Sequence, residues 1–122
     1  MHYKTSESTA TSYTPVIHDG DGEIKTTPFF RDVSRLPVNF AIWELAAGVS
    51  EGGHIHKGED ALEELYYFIE GEGIMWVDGE DLHVMAGDAV LAPAGSDHGF
   101  RNTGRPPLKL VILWGKPGDG GI

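Results

Sequence analysis

The chain has no cysteine among its 122 residues. That excludes a disulfide framework and any thiolate metal ligand, and it fits a reducing compartment, so the expected location is cytoplasmic. Basic residues are also scarce: nine Lys and Arg stand against nineteen Asp and Glu, a formal net charge of −10. Nucleic-acid binding needs a basic face, so no nucleic-acid partner is expected. The charge favours solubility and says nothing positive about a substrate. No apolar run approaches the roughly 18 residues of a membrane span. The opening stretch MHYKTSESTATSYTP lacks the apolar core of a secretion signal. No membrane association is expected. Helix signals are nearly absent, as are repeats and low-complexity tracts.

Glycine, by contrast, is abundant, with 17 residues, which suits an all-β chain with many tight turns. Apolar runs are short and mostly separated by turn signals. VNFAIWELA from Val38 to Ala46 alternates as a strand, and Glu64 to Glu70 reads as a densely apolar barrel wall. Gly73–Asp78 and Asp81–Met85 form a hairpin around Asp78-Gly79, a strong turn pair. Ala89–Ala92 leads into a Pro93–Gly95 turn, and His98–Asn102 begins the return strand. Leu108–Trp114, LKLVILW, is apolar on both phases, as expected of a central or dimer-contacting strand. These runs predict six to ten antiparallel strands in a barrel or sandwich.

Two spacings interlock on this framework. Gly48-x5-His54-x-His56 is followed by Glu64-x6-Gly71, and Gly87-x5-Pro93-x-Gly95-x2-His98-x3-Asn102 comes later. Residues two apart on a strand share a face, so His54 and His56 present both imidazoles together. Three imidazoles and one carboxylate suit a single divalent first-row metal ion, whether Fe, Mn, Ni, Co or Zn. On a six-coordinate ion, four protein ligands leave open positions for water, substrate or oxygen.

The two motifs resemble those of the cupins, in particular small single-domain members with one conserved barrel. The stretch GDAVLAPAGSDHGFRN, Gly87 to Asn102, matches the family pattern at every fixed position. The resemblance covers about residues 38–115 and implies an all-β, double-stranded β-helix (cupin or jelly-roll) barrel. Residues 1–37 are then an N-terminal arm with edge strands, and 116–122 a tail. The implied metal ligands are His54, His56, Glu64 and His98. One departure affects the carboxylate. Seven residues separate His56 from Glu64, more than the family uses, so KGEDALE reads as a lengthened mouth loop. Glu64 keeps its register to Gly71 and is preferred. Asp60 restores the shorter spacing at the expense of that register, and Glu63 is a neighbour that strand alternation does not exclude.

Tyr66 and Phe68 share the phase of Glu64, and Phe100 that of His98, so all three line the cavity if the ligands point inward. Tyr66, two residues from a ligand, is the candidate catalytic hydroxyl, able to bind substrate or act as an acid. Glu59, Asp60 and Glu63 are further proton-transfer candidates or a solvated loop. Trp43 and Trp76 belong to the pocket wall or the core. Arg101 opposes His98 in phase and faces out, Asn102 caps a turn, and His2, His18 and His83 read as surface residues. The resemblance implies a metalloenzyme acting on a small oxygen-rich molecule, with dioxygenase (oxygenase), decarboxylase, lyase and isomerase chemistry all open. The alternative is a non-catalytic module that binds or senses a small ligand. The two-faced Leu108–Trp114 run points to a homodimer.

Overall fold

The computed structural model describes residues 3–55, 58 and 61–118. Alternation of buried and exposed side chains sets out nine strands among the described residues. In order they are β1 (Lys25–Pro28), β2 (Val38–Leu45), β3 (Ser50–Ile55), β4 (Glu63–Glu70), β5 (Glu72–Val77), β6 (Glu80–Met85), β7 (Ala89–Ala92), β8 (Asp97–Asn102) and β9 (Leu108–Gly115). No α-helix occurs among these residues, so none is long and apolar enough to cross a membrane. The strands pair antiparallel into a five-stranded sheet, β1-β2-β9-β4-β7, and a four-stranded sheet, β3-β8-β5-β6. This is the all-β jelly-roll barrel that the motifs predict.

The inner faces of the two sheets form one core. On β4 the even positions Glu64, Tyr66 and Phe68 are buried, while Leu65 and Tyr67 face out. Trp43 and Leu110 from the first sheet pack in one cluster with Met75, Val84 and Phe100 from the second. Each such side chain, when fully buried, contributes about 1.5–3 kcal/mol. β9, apolar on both phases, lies between β2 and β4 and buries Leu108, Leu110 and Ile112 inward.

The turns carry the chemistry that their residues suggest. Asp78 and Gly79 both have positive φ, 49° and 82°. That combination belongs to a type I′ turn, whose twist matches the β5–β6 hairpin it joins. Gly71 sits at φ 82° beside the backbone of Pro107, where a Cβ would come within 2.5 Å of a carbonyl oxygen. Asn102 does cap: its Nδ2 donates to the Leu45 and Pro106 carbonyls, and its Oδ1 accepts from Gly104 N–H.

The N-terminal arm lies along its own barrel. Tyr13 bridges Thr26, Ser12 hydrogen-bonds Thr27, and Glu7 pairs with Lys109 at 2.7 Å. Residues 17–21 then rest on β3, where Gly52 N–H donates to the Ile17 carbonyl and Ser50 N–H to the Asp21 carbonyl.

Candidate metal centre

Three strands bring the site together, and an irregularity in one of them decides its membership. β4 turns Glu64 and Tyr66 inward, and β8 turns His98 inward. On β3, Glu51 and His54 are three residues apart, a separation that regular alternation would send to opposite faces. Between them the register slips: Glu51 faces Phe100 and His54 faces His98, so three steps on β3 span two on β8. This bulge at Gly52-Gly53 puts both side chains on the inner face. The backbone packs too tightly there for larger residues, with Gly52 against His18 and Gly53 and Gly99 under the Trp76 ring.

One ligand atom each from Glu51, His54, Glu64 and His98 lies within 4.8 Å of all the others. Donor atoms around one divalent ion stand about 3–4 Å apart, so the group is at the scale of a single ion. Glu64 is central. His98 Nε2 is 2.8 Å from its Oε2, and Tyr66 donates its hydroxyl to the same oxygen. His54 Nε2 is 3.8 Å from Oε1, at ion-pair range rather than hydrogen-bond range.

The hydrogen bonds behind these rings test whether a cation fits. Ser96 gives its single hydroxyl hydrogen to the Pro93 carbonyl at 2.7 Å. Its oxygen, 3.1 Å from His98 Nδ1, therefore accepts, and so does the Ser96 carbonyl at 3.2 Å. The His98 proton is thereby assigned to Nδ1. That leaves Nε2 facing a carboxylate oxygen, a contact that requires a second proton or a cation between them. His54 repeats the arrangement, with Nδ1 3.2 Å from the Gly52 carbonyl and Nε2 toward the cluster. Imidazoles held by backbone carbonyls with Nε2 presented inward are the form in which histidine binds metals. The donor set fits a divalent ion.

Electrostatics divides the two carboxyls. Burial pushes the Glu51 pKa up, and the charge of Glu64 adds to it, so the group reaches about 8 despite His54 and the Tyr66 hydrogen bond. Burial acts in the same sense on Glu64. The neighbouring His54 and His98 rings and the Tyr66 hydroxyl outweigh it and hold Glu64 well below the usual carboxylate range. Burial and the two carboxyl charges raise the Tyr66 phenol. For His54, burial works to lower the pKa, but Glu64 and Glu51 together carry it upward.

Tyr66, Phe68 and Phe100 face inward as their phases predict; Phe68 and Phe100 serve the core. Glu63 occupies the opposite phase from Glu64 and is not part of the four-residue group. His56, Glu59 and Asp60 lie outside the described residues. Arg101 faces out and pairs with Asp21. Trp43 is on the wall of a cavity of about 170 Å³ together with Glu51, Glu64 and His18. Trp76 covers Gly53 and Gly99 and is not among that cavity's walls. Three larger hollows contain none of the clustered side chains: two, of about 710 and 420 Å³, run along residues 3–40, and one of about 430 Å³ lies between Val77–Leu82 and Ala89–Pro93. The small cavity is therefore the one beside the chemistry.

Two site residues were missed by the sequence reading. Glu51 is hidden by the bulge, and the Gly52-Gly53 pair before His54 was the available signal. His18 is exposed, as its surface assignment predicts, and it also stacks on His54 with ring centroids 3.5 Å apart. It reaches there through a backbone held at positive φ at both His18 and Asp19, 53° and 56°.

With a jelly-roll barrel and a buried His/Glu cluster in hand, the class of protein is defined. A family model described as a cupin domain matches residues 41–114, and the chain belongs to the cupin family. Among curated proteins it is 38% identical over 74 residues to an oxalate-binding protein of Thermotoga maritima, covering 61% of this chain and 59% of that protein. It is 40% identical over 65 residues to an acireductone dioxygenase of Rhodopseudomonas palustris, covering 50% of this chain and 37% of that enzyme. The chain thus spans three-fifths or less of the length of these relatives. Among solved structures, one described as a predicted oxalate decarboxylase from Thermotoga maritima superposes with a TM-score of 0.83 at 26% identity. That match covers 92% of this chain and 97% of the other.

Proposed function

We propose that this chain is a metal-dependent cupin enzyme whose ligands are His54, His56, Glu64 and His98. The observation that carries the reading is the convergence of His54, His98 and two carboxyls on one point, with both described imidazoles held in the metal-binding tautomer. His56 enters from its spacing to His54. Glu51 stands beside these ligands and shares the Tyr66 hydroxyl with Glu64. These ligands would hold a divalent ion, whose chemistry there would be to polarise a carbonyl or carboxylate oxygen of the substrate.

The chain's own groups then divide the remaining work. Tyr66 stands between two carboxyl groups with one hydrogen to give. It donates to Glu64, so the contact of 3.1 Å to Glu51 is satisfied when Glu51 carries a proton and donates back to the phenolic oxygen. An exchangeable proton is thereby held on the cavity wall, where Glu51 lies. Ile112 and Trp114 add apolar walls to the same cavity. The substrate class is a small oxygen-rich molecule, in keeping with relatives named for oxalate and for an acireductone. A binding-only role is the second reading, favoured by the relative named as an oxalate-binding protein.

Elemental analysis of the purified protein, paired with oxygen consumption and product analysis over small keto acids, diketones and oxalate, tests the proposal. We expect one divalent ion per chain in the wild type, loss of most of it in Glu64→Gln, and turnover that disappears with the ion. Full metal in Glu64→Gln overturns the ligand set. Metal with tight ligand binding and no turnover selects the second reading.

The outer face of the five-stranded sheet is proposed as the surface that pairs with a second copy. Phe40, Leu113, Leu65 and Leu91 lie side by side across β2, β9, β4 and β7, and Ile42, Val111, Tyr67 and Ala89 form the next row. Phe40, Leu65, Tyr67 and Leu91 are between 41% and 48% exposed. Contiguous apolar rows of this kind mark interaction surfaces.

A further inference from the structure

Trp43 points inward from β2 between the buried Ala41 and Leu45 and is itself 7% exposed. Its ring is held by packing, stacked with Phe100 at 6.1 Å and edge-on to Tyr66 at 6.4 Å. Its indole nitrogen is fully buried and has no acceptor among the described residues. Phenylalanine would fill much of the same wall without that donor. A buried donor left unmatched calls for an explanation, since nearly all such groups in folded proteins find a partner.

The explanation lies in what Trp43 borders. It shares the 170 Å³ cavity with Glu51, Glu64 and His18 at the polar side and with Ile112 and Trp114 at the apolar side. On that wall Glu51 Oε1 pairs with Tyr66 and Glu64 Oε2 with Tyr66 and His98, and no oxygen of the described residues is within hydrogen-bond reach of the indole nitrogen. A molecule that enters the cavity can bring the acceptor that the indole N–H lacks. Indole nitrogen donates only, so it selects a carbonyl or carboxylate oxygen and offers nothing to an ammonium or to any donor-only group. The cavity holds roughly five or six waters' worth of volume, which limits the guest to a few heavy atoms.

We propose that Trp43 is the ligand-orienting residue of this site: its indole N–H donates to one oxygen of a small oxo-acid whose other oxygen faces the Glu64–His98 cluster. The proposal rests on the reading of that cluster as a metal site. It adds a second, directional contact that fixes which end of the guest meets the ion, and it assigns the ligand class as compact molecules with acceptor oxygens at both ends.

Nuclear magnetic resonance of ¹⁵N-labelled, zinc-loaded protein tests it with oxalate as the probe. Three tryptophans give three indole signals, and Trp43→Phe assigns the one that it removes. Oxalate should move the Trp43 indole proton downfield while the Trp76 signal stays in place. Trp43→Phe should bind the same zinc and weaken oxalate binding about tenfold. If that variant fails to fold, Trp76→Phe and Trp114→Phe identify the other two signals and leave that of Trp43 by elimination. Zinc-loaded protein that binds oxalate with the Trp43 signal unmoved, or that does not bind oxalate at all, overturns the proposal while the metal reading stands. Failure to take up zinc overturns the metal reading itself, and this proposal with it.

Discussion

Glu51 and Glu64 are two carboxyl groups on either side of one phenol, and they titrate in opposite directions. In the metal-free protein Glu51 has a pKa pushed up to about 8, against 4.5 for an ordinary glutamate. Between those values the folded state holds a proton that the unfolded chain has released. Stability therefore falls as pH rises from about 4.5 to about 8, by up to about 5 kcal/mol from this group. His54, raised as well, adds to the same slope. Glu64, lowered, contributes stability above its unfolded value that is lost as pH falls. The metal-free protein should be most stable in mildly acid solution. Denaturant titrations after metal removal, at pH 5 and pH 8, check this: the wild type should weaken over that interval and Glu51→Gln much less. Equal losses in the two proteins would show that Glu51 is ionised in the fold.

At the scale of the element, the bulge in β3 is what turns a strand into a site. It depends on Gly52, whose Cβ as alanine would run into the His18 carbonyl. Both partners there are backbone, so neither yields cheaply. Gly52→Ala should cost about 1–3 kcal/mol and lift residues 17–21 off β3. Thermal denaturation reads the first effect, and the ring-current shift of the His18 and His54 protons reads the second. An unchanged His18–His54 stack in a destabilised variant would mean that the loop adapts elsewhere.

Strand positions that follow alternation were legible without the structure. Glu64, Tyr66 and Phe68 read inward from their phase, the Asp78-Gly79 pair announced its hairpin, and Asn102 announced its cap. Glu51 was not legible because one extra residue reverses every phase argument on its strand. His18 was not, because a long-range loop contact brings it to His54 and no local periodicity encodes it. Trp43 was legible as pocket or core, and the structure shows both at once: a core ring that also lines the cavity.

For the whole molecule, the same five-stranded sheet buries the site on one face and carries the apolar rows on the other. A barrel has one interior, and the arm of residues 3–14, which reaches this face at Lys109 and shares a hollow with Phe40, leaves Leu65, Tyr67 and Leu91 about half exposed. The proposed second copy, related by a twofold axis, would cover them. Light scattering should give twice the 13.2 kDa chain mass, about 26 kDa. Leu65→Glu with Leu91→Glu should return it to monomer while keeping the metal. A monomeric wild type at micromolar concentration contradicts the pairing.

The central claim is that His54, His98 and Glu64 hold one divalent ion, and anomalous diffraction from a metal-loaded crystal at the absorption edge of that metal tests it most directly. A single strong peak is expected about 2.0–2.3 Å from His98 Nε2, His54 Nε2 and a Glu64 carboxylate oxygen. A metal-replete crystal with no peak among these three side chains would contradict it.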